Sequence, residues 1–134
     1  MHKTAVLINE RAPVSSAEIN DLRSVGWPGT GAQDWDAVRS HSLGWVTAHV
    51  DEQLVGFVNV AWDGGSHAFL LDTVVHPAVR DQGVGKGLVE RAAAMAREAG
   101  AEWLHVDFDP ELRPFYESCG FRPTEAGLLA LRPD

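Results

Sequence analysis

The sequence predicts a mixed α/β fold, a β-sheet flanked by helices. Three observations lead there. Leu43–Val50 and Leu54–Trp62 are rich in β-formers and flank the turn-like Asp51-Glu52-Gln53, as in a hairpin. Val84, Leu88, Ala92, Met95 and Ala99 recur at helical spacing in an alanine-rich segment. Between a further strand-like run, Ala68–Val75, and that helix lies the glycine-rich turn Arg80-Asp81-Gln82-Gly83-Val84-Gly85-Lys86-Gly87.

The elements follow in order. Thr4–Asn9 reads as a first strand. Ser15 or Ser16 caps a helix carrying Ile19, Leu22 and Val25 on one face, with Gly26 as its stop. Pro28 and Gly29-Thr30-Gly31 form a loop, and Asp34–Ser42 reads as a short second helix. After the hairpin, Asp63-Gly64-Gly65-Ser66 turns the chain into the strand that ends at Val75. The long helix spans about Val84–Ala99, with Glu90, Arg91, Arg97 and Glu98 on its polar side and Gly100 as its end. Trp103–Phe108 reads as a strand. Leu112–Cys119 is a short helix in which Pro114 is tolerated only near the start, and Leu128–Leu131 is a final strand.

The chain has 134 residues, enough for one domain over 1–134 with a real core and too few for two. An apolar content of 45% argues against disorder. No apolar run approaches the length of a membrane span and no signal-peptide pattern opens the chain, so no membrane partner is expected. Cys119 is the sole cysteine, which excludes an internal disulfide and fits a reducing cytoplasm. A formal charge of −8 argues against nucleic acid as a partner. Against that acidic background, Arg80, Lys86, Arg91 and Arg97 fall on the glycine turn and its helix. His2, His41, His49, His67, His76 and His105 include no pair at zinc-site spacing, so no metal site is expected.

A glycine-rich turn between a strand and a helix start gathers backbone N–H groups at one point, and the helix dipole adds positive potential. Such a turn suits a phosphate or diphosphate, with Arg80 and Lys86 as full charges at its ends. The spacing fits neither a nucleotide P-loop nor the dinucleotide fingerprint. Arg80-x-x-Gly83-x-Gly85 instead resembles the Arg/Gln-x-x-Gly-x-Gly/Ala loop of the GNAT superfamily of acyl-CoA-dependent N-acyltransferases, and Val74-Val75-His76-Pro77 resembles that family's approach to the loop. Asp109-Pro110-Glu111-Leu112-Arg113-Pro114-Phe115-Tyr116-Glu117-Ser118-Cys119-Gly120-Phe121 resembles its next motif, a short helix with Phe-Tyr closed by Gly-Phe. The likeness covers roughly residues 43–134.

The resemblance implies a mostly antiparallel mixed sheet in which the fourth and fifth strands are parallel and splay apart. It implies acetyl-CoA as cosubstrate, its diphosphate on Arg80, Asp81, Gln82, Gly83, Val84, Gly85 and Lys86 and its pantetheine arm along Val74 and Val75. It also implies an acetyltransferase that acts by direct attack of a primary amine in a ternary complex. The amine belongs to a small molecule, a peptide or a protein, and small members often pair, so a homodimer is expected. Tyr116 matches the tyrosine that serves many members as general acid; read without the motif, it is a core tyrosine beside Phe115. Asp109 stands where many relatives carry asparagine, which places a charge near the cofactor arm or caps the helix. Asp72, a carboxylate inside an apolar strand, is either the acceptor of the ammonium proton or a structural residue, a cross-strand hydrogen-bond partner or a helix anchor. His76 is a second candidate base or, just before Pro77 in a turn, a solvated loop histidine. Trp27, Trp35 and Trp45 lie in the segment that would wall the acceptor site; they suit an alkyl or aromatic amine, or serve as packing residues. The alternative to an enzyme is a non-catalytic acyl-CoA sensor that keeps the loop without a working acid and base.

Overall fold

The computed structural model describes residues 5–132. Strand β1 (Leu7–Glu10) leads to helices α1 (Ser16–Gly26) and α2 (Trp35–Arg39), then to strands β2 (Ser42–Val50), β3 (Gln53–Trp62) and β4 (His67–Val75). A single 3-10 turn at Pro77–Val79 precedes α3 (Val84–Glu98), followed by β5 (Trp103–His105), a second 3-10 turn at Pro110–Leu112 and α4 (Arg113–Ser118). The sheet order is β1-β2-β3-β4-β5. The first four strands are antiparallel, β2–β3 and β3–β4 through short turns and β1–β2 across α1 and α2, and β4–β5 is parallel, joined by the α3 crossover.

The first two helix starts have a local cause. Ser15 and Glu18 form a capping box: the Ser15 hydroxyl accepts from the Glu18 N–H at 3.1 Å, and Glu18 accepts from the Ser15 N–H at 3.0 Å. The Asp34 carboxylate accepts from the Ala37 N–H at 3.2 Å and starts α2. Gly26 belongs to α1 rather than ending it with a left-handed cap. A Cβ there would stand 2.4 Å from Val74 Cγ2, so the glycine serves the close approach of α1 to β4.

The two faces of the sheet are covered separately. On one, Leu88, Ala92, Met95 and Ala96 of α3 pack on Val46, Val58, Val60, Ala68 and Leu70. On the other, Ile19 and Leu22 of α1 and Trp35 of α2 pack on Leu54, Phe57 and Val74. Burying such a side chain contributes about 1.5–3 kcal/mol.

Three expectations are corrected. The second helix stops at Arg39, because Ser42 already pairs with Ala61 in β2. The fifth strand has three residues rather than running to Phe108; its pairing with β4 ends at Phe69 with His105, and beyond that β4 departs from regular geometry. Leu128–Leu131 is not a strand: Leu128, Leu129 and Leu131 are 86%, 83% and 88% exposed, and so short a β5 presents little backbone to pair with. Of the first expected strand, Thr4 lies outside the described residues.

Candidate active site

The site is organised by an irregularity in β4. Asn59 pairs with Leu71 and Phe57 with Val74, so Val58 alone opposes both Asp72 and Thr73. This is a β-bulge, and Asp72 adopts φ 60°, a left-handed conformation that Asp tolerates better than most residues. The extra residue inverts the alternation along the strand. Before it, Ala68 and Leu70 face α3; after it, Val74 faces α1 while Val75 packs on the α3 side.

On the α3 side of the bulge stands Tyr116, 6% exposed. Its ring stacks on Phe108 at 4.9 Å and meets Phe115 edge-on at 4.9 Å. Burial pushes the phenol above the ordinary tyrosine value, a side-chain contact from Thr73 pulls the other way, and Cys119 and Asp107 add small upward pushes. The phenol is therefore protonated at neutral pH. On the α1 side, burial pushes the Asp72 carboxyl above the usual aspartate value, and Arg23 of α1 opposes that push. Asp72 and Thr73, the latter in contact with the phenol of Tyr116 on α4, are thus neighbouring strand positions facing opposite sides of the sheet. No side chain in the described residues hydrogen-bonds Asp72 across the strands.

Beyond Val75 the chain reaches the glycine turn. His76 accepts from the Ala78 N–H through Nδ1 at 3.0 Å, so its ring caps the 3-10 turn, in keeping with a loop histidine. Asp81 (φ 64°) and Gly83 (φ 79°) turn the backbone into α3. No side chain caps that helix, which leaves the first N–H groups, of Val84, Gly85 and Lys86, directed out of its end. A Cβ at Gly83 would meet nothing within 4 Å, so the approach to these groups is open. At Gly85 a Cβ would lie 3.3 Å from Phe115 Cζ and 3.7 Å from Val75 Cγ2; the glycine lets α3 sit beside α4 and the end of β4. The arrangement is an anion cradle of the kind a diphosphate fits. Arg80, Asp81, Gln82 and Lys86 surround it and are exposed. Arg80 is also committed elsewhere, since its Nη2 donates to the Gly26 carbonyl at 2.9 Å and ties the loop to the end of α1.

Several sequence-based expectations place differently. Trp35 is a core residue with no exposed surface; its indole N–H donates to Asn20 at 3.0 Å, and its ring meets Phe57 edge-on at 5.5 Å. Trp45 donates to the Ala12 carbonyl at 2.9 Å and lies under the Arg39 guanidinium, a packing role. Trp27, 48% exposed at the α1 C-cap, is the one of the three with a free face. Asp109 is exposed and its side chain makes no capping bond. Arg97 sits in the last turn of α3, far from the glycine turn, and Arg91 approaches Glu10 of β1 at 3.8 Å, so the basic cluster reduces to Arg80 and Lys86. Sequence reasoning missed Arg23, which lies near Asp72 on the buried side of α1; its place inside the apolar Ile19-Leu22-Val25 stripe was the available signal. Among the described residues no group of three metal-ligating side chains occurs, and no helix is long and apolar enough to cross a membrane.

A family model described as Acetyltransferase (GNAT) family matches residues 13–121. A rice (Oryza sativa subsp. japonica) protein described as "Probable glucosamine 6-phosphate N-acetyltransferase 2" is 41% identical over 58 residues, 43% of this chain and 35% of that protein. A GNAT-family acetyltransferase structure from Streptococcus pneumoniae superposes with a TM-score of 0.80 at 25% identity, covering 97% of this chain and all of that one. The structure of AAC(6')-Iy with the bisubstrate analogue CoA-S-monomethyl-acetylneamine superposes with a TM-score of 0.77 over 97% of this chain and 99% of that one; at 20% identity this is a likeness of fold. The matched stretches span 34% to 56% of such curated relatives.

Proposed function

Since the chain belongs to the GNAT acetyltransferase family, we propose that it moves the acetyl group of acetyl-CoA to a primary amine by direct attack. The observation that carries this reading is the uncapped start of α3 at the end of the strand that also presents Thr73 to Tyr116. The fit of the cosubstrate rests on that cradle: N–H groups without a side-chain cap, glycine where a side chain would intrude, and Lys86 beside it. The edge of β4 along Val74 and Val75, left without a partner where β4 and β5 stop pairing, would hold an amide-bearing arm as an added strand would.

When bound, acetyl-CoA supplies a thioester, whose C–S bond breaks as the amine nitrogen forms the new C–N bond. The chain's own groups manage charge and protons. The backbone amides of β4 stabilise the developing oxyanion. Tyr116, kept neutral by burial, gives its proton to the leaving sulfur. Asp72, directly or through water, takes the ammonium proton and leaves the amine free to attack; the transfer is uphill, and a carboxyl raised by burial is the better base for it.

Trp27 is the remaining aromatic candidate for an acceptor wall. The acceptors in view are small-molecule amines, amino sugars included, and peptide or protein amines. The test has two parts. Titration calorimetry should show acetyl-CoA binding well ahead of ATP and NAD; a preference for either nucleotide removes the reading. Thiol release from acetyl-CoA across an amine panel should rise with at least one acceptor; binding without transfer to any amine would leave an acyl-CoA sensor instead.

A further inference from the structure

Arg23 is the charged residue that the fold encloses most fully, 8% exposed, on the face of α1 turned to the sheet. Its Nη1 is shut off from solvent and has no hydrogen-bond partner among the described residues. A guanidinium in that position is costly unless an anion compensates it. Stacking over Trp35, at 4.9 Å from the ring centroid, returns part of the cost. Trp35 is itself fixed by Asn20 and Phe57, so the guanidinium is held rather than free to swing outward.

The same helix is pressed onto β4. Gly26 meets Val74 at a distance only glycine allows, and the Arg80 bond to the Gly26 carbonyl closes the contact from the loop side. Arg23 is one helical turn before Gly26, and Asp72 is two residues before Val74. The bulge turns Asp72 to this side of the sheet.

We propose that Arg23 is a positioning residue for acetyl transfer: its buried guanidinium is the counter-charge of Asp72 and sets the pH range in which that carboxylate serves the acceptor amine. The inference rests on the role given to Asp72 above. It is supported by the opposing effects already described, burial raising the Asp72 carboxyl and Arg23 holding it down. The other charged groups nearby do not substitute for it. Glu18 and Asp21 of α1 line a separate groove with Glu52 and His76. From α4 comes the neutral phenol of Tyr116, and Asp107 acts on that phenol. Opposite the bulge, β3 offers Val58, flanked by Phe57 and the neutral Asn59.

The Asp72 carboxyl can be followed directly by carbon NMR of aspartate-labelled protein, assigned with Asp72→Asn. In Arg23→Met its titration midpoint should rise by about 1 pH unit or more, the size expected on losing a nearby opposite charge, and the acidic limb of kcat/KM should move with it. Arg23→Lys should restore both towards the parent. A midpoint unchanged in Arg23→Met overturns the inference. Should Arg23→Met not fold, Arg23→Gln, which keeps a polar side chain without the charge, carries the same test: a raised midpoint supports the inference and an unchanged one overturns it. Failure of the underlying reading looks different: Asp72→Asn would stay fully active while the NMR midpoint still followed Arg23.

Discussion

Replacing Tyr116 with phenylalanine separates the chemistry of this residue from its packing. The ring contacts survive: Phe108 stacked at 4.9 Å, Phe115 edge-on at 4.9 Å and Phe121 edge-on at 5.7 Å are all made by carbon atoms that phenylalanine keeps. What goes is one hydroxyl and its contact with Thr73. A hydrogen bond of that kind contributes about 0.5–1.5 kcal/mol, so the melting temperature should fall by roughly 5 °C or less. If the phenol donates to the leaving sulfur, kcat should fall about 10²–10⁴-fold, equivalent to about 3–5 kcal/mol of barrier. The stability loss cannot produce that rate loss, because the folded fraction at 25 °C hardly changes. Acetyl-CoA affinity, measured by calorimetry, should stay within about threefold of the parent, a difference under about 1 kcal/mol. The pH profile adds a second check. The phenol titrates above the ordinary tyrosine value, so its deprotonation should give the parent an alkaline limb in kcat, and the variant should lack that limb. A kcat within about twofold of the parent, with the alkaline limb intact, would refute the acid role, being far short of what general acid catalysis supplies.

Gly26→Ala should cost about 1–3 kcal/mol in urea denaturation, since its Cβ would press Val74 Cγ2 at 2.4 Å, while Gly31→Ala, with nothing within 4 Å, should be nearly silent; equal costs would mean that α1 is not seated on β4. Gly83→Ala should cost about 1 kcal/mol for its φ of 79° and weaken acetyl-CoA binding, whereas Gly83→Asn, better suited to that conformation, should recover most of the stability; parent-like affinity in Gly83→Ala would argue against the cradle. For Asp72 the sign follows from its direction. The folded carboxyl titrates above the ordinary aspartate value of 3.8, so folding favours the neutral acid; the stabilisation is full below 3.8 and disappears as pH rises through the higher folded value. The melting temperature of the parent relative to Asp72→Asn should therefore drop with rising pH across that window, and a flat difference would mean that burial does not govern this carboxyl.

The fold was legible where local chemistry and tertiary demand agree. The Ser15–Glu18 capping box, the hairpin around Asp51-Glu52 and the stripe from Val84 to Met95 each carry their own signal, and each formed within a residue or two of its expected bounds. Where tertiary context decides, the reading went astray. Gly26 looks like a helix stop in a string of letters, yet its reason lies in Val74, 48 positions away. Leu128–Leu131 has strand composition, but composition cannot report whether a neighbouring strand offers a partner. For the site, the glycine turn was legible because backbone conformation and helix dipole are written in glycine itself. The tryptophans were not: Trp27, Trp35 and Trp45 look alike in sequence, and only packing distinguishes an exposed ring from two structural ones. Arg23 carried only a faint signal, its place in the apolar stripe of α1, since a lone arginine on a helix is ordinarily a solvated residue.

The bulge at Asp72 explains why one short stretch of strand can serve both ends of a proton ledger. In an unbroken β4 the residues facing α3 would continue from Ala68 and Leu70 to positions 72 and 74. Asp72 would then point into the α3 core, where a carboxylate has no counter-charge, and Thr73 would turn away from the phenol. One inserted residue exchanges the sides: Asp72 goes to the α1 face, where Arg23 acts on it, and Thr73 to the face where Tyr116 stands. The same irregularity falls where pairing between β4 and β5 has ended, so the gap that would admit a cofactor arm and the residues that would act on its thioester share a single cause. The strain of a positive φ at a non-glycine residue, of order 1–3 kcal/mol, is consistent with a position retained for what it presents rather than for stability.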